Sequence, residues 1–170
     1  MLPSTFVLYA GYRYGWDERT VGLTLAGVGV CSAIVQGGLV RPIVARAGER
    51  RAMLIGLGCG AAGFAIYGLA PTGALFCAGV PVMSLWGLAN PAVQALMTER
   101  VGPTEQGQLQ GAQGSLQGIA GLIGPGLFTL TFAYFIAPAQ RWDLPGAPFL
   151  LAALMLLGGM LVGARATRAG

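Results

Sequence analysis

The sequence contains few of the residues that proteins use to face water. Charged side chains make up 9% of the 170 residues, and neither histidine nor lysine occurs. Because a typical soluble domain has about 25% charged residues, this chain cannot cover a water-facing surface with charge. The composition therefore argues against a soluble protein, including one built from several buried core helices.

The absence of histidine also limits the chemistry that the chain can perform. Its three cysteines, Cys31, Cys59 and Cys77, lie inside apolar stretches and form no close pair, so we expect them to pack as small hydrophobic residues. The sequence also lacks metal-ligand spacings and carboxylates within its apolar stretches. We therefore predict no enzymatic activity, no catalytic residue, no metal and no cofactor.

Five long apolar stretches are present instead. Each has about 15 to 30 residues, whereas a helix needs roughly 20 to cross the hydrocarbon core of a bilayer. Lipid offers no hydrogen-bond partners, so such segments must satisfy their backbone internally as helices. The sequence thus predicts an all-α membrane protein, with five full transmembrane helices in contact with the lipid bilayer. The stretches are Val21–Val44, Ala52–Ala70, Ala74–Met97, Gly107–Ile136 and Pro148–Val162.

The N-terminal stretch Met1–Tyr12 is apolar and aromatic but only about half as long as a span. It has neither a basic leader nor a small-residue cleavage site, which argues against a signal peptide. We interpret it as the outer half of a helix whose beginning is missing. The prediction is a bundle with one partial helix, belonging to a fragment or to a product with a displaced start.

The ten arginines indicate membrane orientation rather than nucleic-acid binding, because they occupy loops and helix ends instead of a basic stripe with stacking aromatics. Basic residues concentrate on the cytoplasmic side of membrane proteins. We therefore predict a multi-pass inner (plasma) membrane protein with a cytoplasmic C-terminus. One set of loops and ends holds Arg41, Arg46, Arg50, Arg51, Arg100, Arg165 and Arg168, and the other holds Arg13, Arg19 and Arg141.

Small residues recur at spacings of three and four within three spans. Such stripes let helix backbones approach closely, so they predict seams between helices. Proline within a span removes a backbone donor and invites a kink, at Asn90-Pro91 in the third span and at Gly124–Gly126 in the fourth. The stripes are Gly22, Ala26, Gly29, Ala33 and Gln36 in the first span, Gly56, Gly60 and Gly63 in the second, and Gly107, Gly111, Gly114, Gly118 and Gly121 in the fourth.

Amide side chains inside the spans are the candidates for contact with a solute. They are costly against lipid and are expected to face protein or a watery cavity. Hydrogen bonding between helices, worth about 0.6 to 2 kcal/mol for each bond, is an equally strong interpretation of any one of them. The predicted binding residues are Gln36, Asn90, Gln94, Gln113 and Gln117.

Several short stretches match one protein family in order and spacing across nearly the whole chain. They are Tyr14–Asp17, Leu25–Gly27 with Gln36, Ala45–Ala52, Pro91–Ala95, Gln106–Gly111 and Ile123–Pro125. Through them the chain resembles the C-terminal half of a major facilitator superfamily transporter, in the tetracycline/proton antiporter branch of drug exporters.

The resemblance implies that residues 1–170 form helices seven, truncated, to twelve of a twelve-helix protein. Its partners would be the missing N-terminal six-helix half, a small-molecule solute and, as the candidate coupling ion, the proton. The implied function is proton-coupled efflux of small amphipathic molecules or drugs. Helices eight, ten and eleven of such a half line the cavity, and the five predicted binding residues fall on these helices.

Arg46, Gly48 and Arg50 match the second copy of the family's gating loop, although Arg41 and Ala45 replace its usual glycine and aspartate. An ordinary positive-inside loop is the alternative interpretation.

The antiporter branch has a histidine in helix eight and an aspartate in helix nine, and Ser32 and Gly60 occupy these positions here. A proton relay needs groups that change charge inside the membrane. The resemblance therefore implies that coupling resides in the missing half, and it does not extend to tetracycline as the solute.

Two alternatives to a transporter half stay open at this point. The first is a truncated, non-transporting membrane protein, inert or bound to a partner, which the partial first helix favours. Pairing of two such chains as a homodimer ranks lower.

Overall fold

The computed structural model describes residues 2–102, 104–136 and 144–168, and every regular element in these ranges is helical. The all-α prediction is therefore confirmed. A π segment, Val35–Leu39, joins α2 to α3, and a 3₁₀ segment, Leu85–Leu88, joins α5 to α6. The α-helices are α1 Leu2–Tyr14, α2 Glu18–Ile34, α3 Val40–Ala47, α4 Glu49–Leu69, α5 Gly73–Ser84, α6 Ala89–Thr98, α7 Gln106–Phe135 and α8 Ala147–Ala166.

Five helical segments of the described chain are long and apolar enough to cross a membrane, as predicted. Their mean hydropathy lies between 1.4 and 2.1. The first begins at Glu18 rather than at the predicted Val21, because the Asp17 side chain accepts a hydrogen bond from the Thr20 N–H at 2.9 Å and caps the helix ahead of the apolar run. The spans are Glu18–Ala47, Glu49–Leu69, Gly73–Thr98, Gln106–Phe135 and Ala147–Ala166.

The short helix α1 has 13 residues and ends at Tyr14, where Gly15 follows at φ 62°. At a rise of 1.5 Å per residue it extends only about 20 Å, so it does not cross a bilayer. Tyr9 and Tyr14 attach it to α4: their hydroxyls donate to the backbone carbonyls of Tyr67 at 3.0 Å and Ala70 at 2.8 Å. This short helix is therefore fixed by hydrogen bonds to the end of α4.

The two prolines at which kinks are predicted lie in different surroundings. Next to Asn90 and Pro91 the chain adopts the 3₁₀ segment, and Pro91 falls in the first turn of α6, where its missing N–H breaks no helical hydrogen bond. Pro125, by contrast, lies within a helix that continues unbroken on both sides. A continuous helix does not test for a bend, so the kink at Gly124–Gly126 stays a prediction.

Helix α4 is the centre of the bundle and packs against α5, the 3₁₀ segment, α6 and α8. The stripe of glycines on α4 makes this close packing possible. A Cβ on Gly56 would lie 2.6 Å from the Ala89 nitrogen, and one on Gly63 would lie 2.8 Å from the Met83 Cα. Since no side chain fits there, the predicted seam of the second span is confirmed.

The glycines of the other two stripes lack such neighbours among the described residues. A Cβ built at Gly22 or Gly29 on α2, or at Gly107, Gly111, Gly114 or Gly118 on α7, has no described atom within 4 Å. Correspondingly, 6% of the apolar window in α2–α3 and in α7 is buried, compared with 50% in α4. The prediction that these two stripes pack as seams is therefore wrong for the described part of this chain.

Gly56→Ala should destabilise the bundle by about 1 to 3 kcal/mol, since its methyl group must push apart two backbones. Gly58→Ala, on the same helix, is the matched control, because its Cβ meets only the Met160 sulfur at an ordinary 3.7 Å. Reversible unfolding in bicelles measures both changes. Equal stability of the two variants would show that α4 and α6 do not approach this closely.

Candidate solute-binding cavity

A cavity of about 560 Å³ opens between α2, α4, the 3₁₀ segment, α6 and α8. Its volume lies within the range of about 300 to 1,000 Å³ that is typical of small-molecule sites. Most of its wall is apolar, with a few polar side chains. Those polar or aromatic residues are Ser32, Gln36, Ser84, Trp86 and Asn90.

Gln36 reaches the cavity from an irregular part of its helix, the π segment, in which the Val40 N–H donates to the Val35 carbonyl. Single π turns within α-helices occur frequently at functional sites. Across the cavity, Gly87 is the neighbour of Gln36, since a Cβ at position 87 would be in ordinary contact with the Gln36 Cγ at 3.5 Å. Nothing in the residue pattern indicated this local change of helix type.

Asn90 and Gln94 line the same region from α6. A smaller cavity of about 400 Å³ is adjacent to the first, and Gln36, Asn90 and Gln94 all belong to its wall. The structure thus brings three of the five predicted binding residues together. They come from two spans that are far apart in the sequence.

Gln113 adjoins this group through a direct hydrogen bond. The Gln94 Nε2 donates to the Gln113 Oε1 at 2.8 Å, and the Gln113 Nε2 in turn contacts the Met97 sulfur. The pair links α6 to α7, and in the described part of the chain these two helices have few other contacts. This bond is the interhelical role that the sequence left as an alternative to solute binding.

Gln117 lies on an exposed part of α7 and belongs to the wall of neither cavity. Among the described residues its side chain makes no hydrogen bond. The structure therefore does not bring Gln117 to the other four amides, and its role as a binding residue stays a prediction.

Among the polar and aromatic residues of the cavity, Ser32, Ser84 and Trp86 were not predicted as part of a site. Ser84 is buried, and its hydroxyl donates to the Val80 carbonyl at 2.9 Å, so its hydrogen-bonding capacity is largely used within α5. Trp86 presents part of its ring to the cavity, with 38% of its surface exposed. A tryptophan in the middle of a span, away from the interfaces where this residue is enriched, was the available signal.

Ionisable side chains are absent from both cavity walls as far as the structure describes them. The site offers amides, a hydroxyl and an indole, which donate and accept hydrogen bonds without a fixed charge. It is therefore suited to an uncharged polar group attached to an apolar body.

The predicted gating-loop residues lie at one end of the bundle. Gly48, at φ 79°, ends α3 and begins α4. The Arg50 Nε donates to the Thr167 Oγ1 at 2.9 Å, and the Arg100 Nη1 donates to the Ala166 carbonyl at 3.2 Å. Both arginines thus hold the C-terminal end of α8, where a cation also complements the helix dipole. Arg46 is exposed.

These bonds place the start of α4, the end of α6 and the end of α8 at the same end of the bundle. The predicted alternation of successive loops between the two sides of the membrane requires this arrangement. Asp17 lies at the opposite end, and hydrogen bonds from the Thr20 side chain and backbone lower its pKa, so this helix cap stays ionised at neutral pH. Arg141 and Trp142, together with most of the predicted Pro138–Gly146 loop, lie outside the described residues.

Five helices long and apolar enough to span a bilayer, four of which line an uncharged polar cavity, define a multi-pass membrane protein with room for a small solute. Comparison with known proteins narrows this class. The model of the Major Facilitator Superfamily matches residues 1–125, and the chain therefore belongs to that family.

The chain is similar to curated proteins along most of its length. It is 33% identical over 152 residues to the class G tetracycline resistance protein of Vibrio anguillarum, covering 89% of this chain and 37% of that protein. It is 31% identical over 142 residues to the class B tetracycline resistance protein of Escherichia coli, covering 83% of this chain and 35% of that protein. It is 26% identical over 173 residues to the human hippocampus abundant transcript-like protein 1, covering 94% of this chain and 34% of that protein.

The chain thus spans little more than a third of the length of these relatives. No solved structure gives a significant match.

The Gln94–Gln113 bond should be measurable by a double-mutant cycle. We expect Gln94→Leu and Gln113→Leu to show a coupling energy of about 0.6 to 1.7 kcal/mol in bicelle unfolding experiments, the range found for hydrogen bonds between membrane helices. The cycle of Gln94→Leu with Gln117→Leu is the control and should show none. Coupling of equal size in both cycles would contradict a specific bond.

Proposed function

We propose that this chain forms part of a secondary transporter that exports small amphipathic molecules across the inner membrane. The observation that carries the proposal is the cavity between the spans, into which Gln36 and Asn90 bring amide groups from two separate helices. Polar side chains at membrane depth are costly, and they typically mark the path of a solute. Family membership supports the same function.

The names of the relatives support export of drug-like molecules in particular, since several are tetracycline resistance proteins. An apolar wall with uncharged hydrogen-bonding groups fits an amphipathic molecule. Tetracycline itself is not part of the proposal, because Ser32 and Gly60 replace the titratable residues that the resemblance led us to expect.

Coupling to protons is the second part of the proposal, and it assigns the titrating groups to helices other than those described. The two cavity walls contain no ionisable side chain among the described residues. Proton-driven transport needs groups that gain and lose charge within the membrane. We therefore assign proton transfer to the partner helices rather than to this chain.

The partner that we propose is a second set of six helices, so that this chain corresponds to helices seven to twelve. Two observations support it: the relatives are nearly three times as long as the matched region, and the glycine faces of α2 and α7 have no described neighbour. Small faces of this kind pack against other helices in membranes. The alternative, a non-transporting membrane protein, predicts no flux even with such helices present.

Replacing the cavity amides should impair export. In the protein that contains this chain, we expect Gln36→Leu and Asn90→Leu each to lower the efflux of a transported amphipathic dye by about tenfold, equivalent to the loss of one hydrogen bond of about 1.4 kcal/mol. Gln108→Leu is the matched control, because Gln108 lies on exposed α7 and lines neither cavity. Unchanged efflux in both cavity variants, at equal expression, would assign these amides to packing.

Orientation is testable with an impermeant thiol reagent on intact cells. In a background without the three native cysteines, Pro71→Cys, in the exposed turn between α4 and α5, should be labelled from outside. Thr104→Cys, between α6 and α7, should be labelled only after lysis, because the arginine-rich end is proposed to be cytoplasmic. The opposite pattern would reverse the topology. We avoid Gly73, since a Cβ there would collide with the Trp16 ring.

A further inference from the structure

Trp86 occupies an unusual position for a tryptophan in a membrane protein. It lies in the 3₁₀ segment in the middle of the third span, where it forms part of the cavity wall. Tryptophan is enriched at the membrane interfaces, where its ring is apolar and its N–H reaches water. A mid-span indole that is partly open to a cavity calls for a different role.

The ring is supported from behind by α4. A Cβ on Gly60 would lie 2.9 Å from the Trp86 Cγ and Cδ1, so the indole rests directly on the helix backbone. Phe64, one turn further along α4, contacts it edge-to-face with 5.6 Å between ring centroids. These two contacts fix the position of the ring and leave another part of it facing the cavity.

The hydrogen-bonding groups around this ring are available to a ligand. Within the described chain, the side chains of Ser32, Gln36, Trp86 and Asn90 make no hydrogen bond to protein. They form a small set of neutral donors and acceptors beside an aromatic surface. A positively or negatively charged solute finds no counter-charge in the described wall, and an unpaired charge in an apolar site is strongly unfavourable.

We propose that Trp86 is a specificity-determining residue, and that the cavity selects uncharged solutes in which an aromatic ring carries amide-like or hydroxyl groups. This inference rests on the proposed transport function and adds to it the chemical class of the solute. The ring of the solute packs on the exposed indole, while its polar groups bond to Gln36 and Asn90. Gly60 is a positioning residue, since it acts only through the place that it gives to Trp86.

A matched set of probes tests the proposal directly. The probes are 2-naphthamide, its saturated counterpart decahydro-2-naphthamide, and the anion 2-naphthoate. Binding of each is measured with tritiated probe on the protein that contains this chain, in nanodiscs, and flux is measured separately in proteoliposomes. Because the first two probes share an amide and a ring skeleton, a change in the ratio of their affinities when Trp86 is replaced reports the aromatic contact.

We expect the wild type to bind 2-naphthamide about tenfold more tightly than either other probe, a factor that corresponds to about 1.4 kcal/mol. Trp86→Leu should abolish this preference, and Trp86→Phe should retain most of it. Gly60→Ala, which moves the ring without removing it, should reduce the preference as well. A purely structural role of Trp86 would instead weaken binding of all probes together and leave the ratio unchanged.

The outcomes separate this inference from the proposed function. Selective binding without flux would leave the Trp86 assignment standing and overturn transport. Flux of the naphthamide and its saturated analogue at equal rates, unaffected by Trp86→Leu, would overturn the inference while the transport function stands. Absence of naphthamide binding by a folded wild-type protein would also overturn the inference, as would tighter binding of the naphthoate anion.

Discussion

The fold depends on one helix face that carries no side chains. Along α4, Gly56 and Gly63 allow the third span to approach until backbone meets backbone, and Gly60 receives the Trp86 ring, at distances where even a methyl group would overlap. In a bilayer the hydrophobic effect gives no reason for apolar helices to associate, so dispersion contacts at such short range must hold them together. The position of the 3₁₀ segment, and of the cavity wall that it forms, follows from this contact.

The same glycine face connects packing to function. Gly60 receives the indole of Trp86, while the neighbouring approach at Gly56 positions the start of α6, where Asn90 reaches the cavity. Gln36 enters from the opposite wall through a π turn that rests near Gly87. Gln36 and Trp86 are thus presented by irregular helix segments, and the 3₁₀ segment and the start of α6 are positioned by glycine contacts with α4.

Much of the fold could be predicted from the sequence, because a span needs only length and apolar composition. The five helices and the grouping of Gln36, Asn90 and Gln94 near one another follow from that pattern and from the family resemblance. The periodicity of small residues indicates a face that can pack, but it does not show whether its partner belongs to the same chain. For this reason α4 matched the expectation, whereas α2 and α7 did not.

The site was harder to predict, since the π turn and the position of Trp86 arise from three-dimensional contacts without a local signature. The account is tested most directly by solid-state NMR of the protein in lipid bilayers. It predicts carbon–carbon cross-peaks between Gly56 and Ala89 and between Gly63 and Met83, with none between Gly111 and any described residue outside α7. Missing cross-peaks at both α4 pairs would contradict close glycine packing as the basis of this bundle.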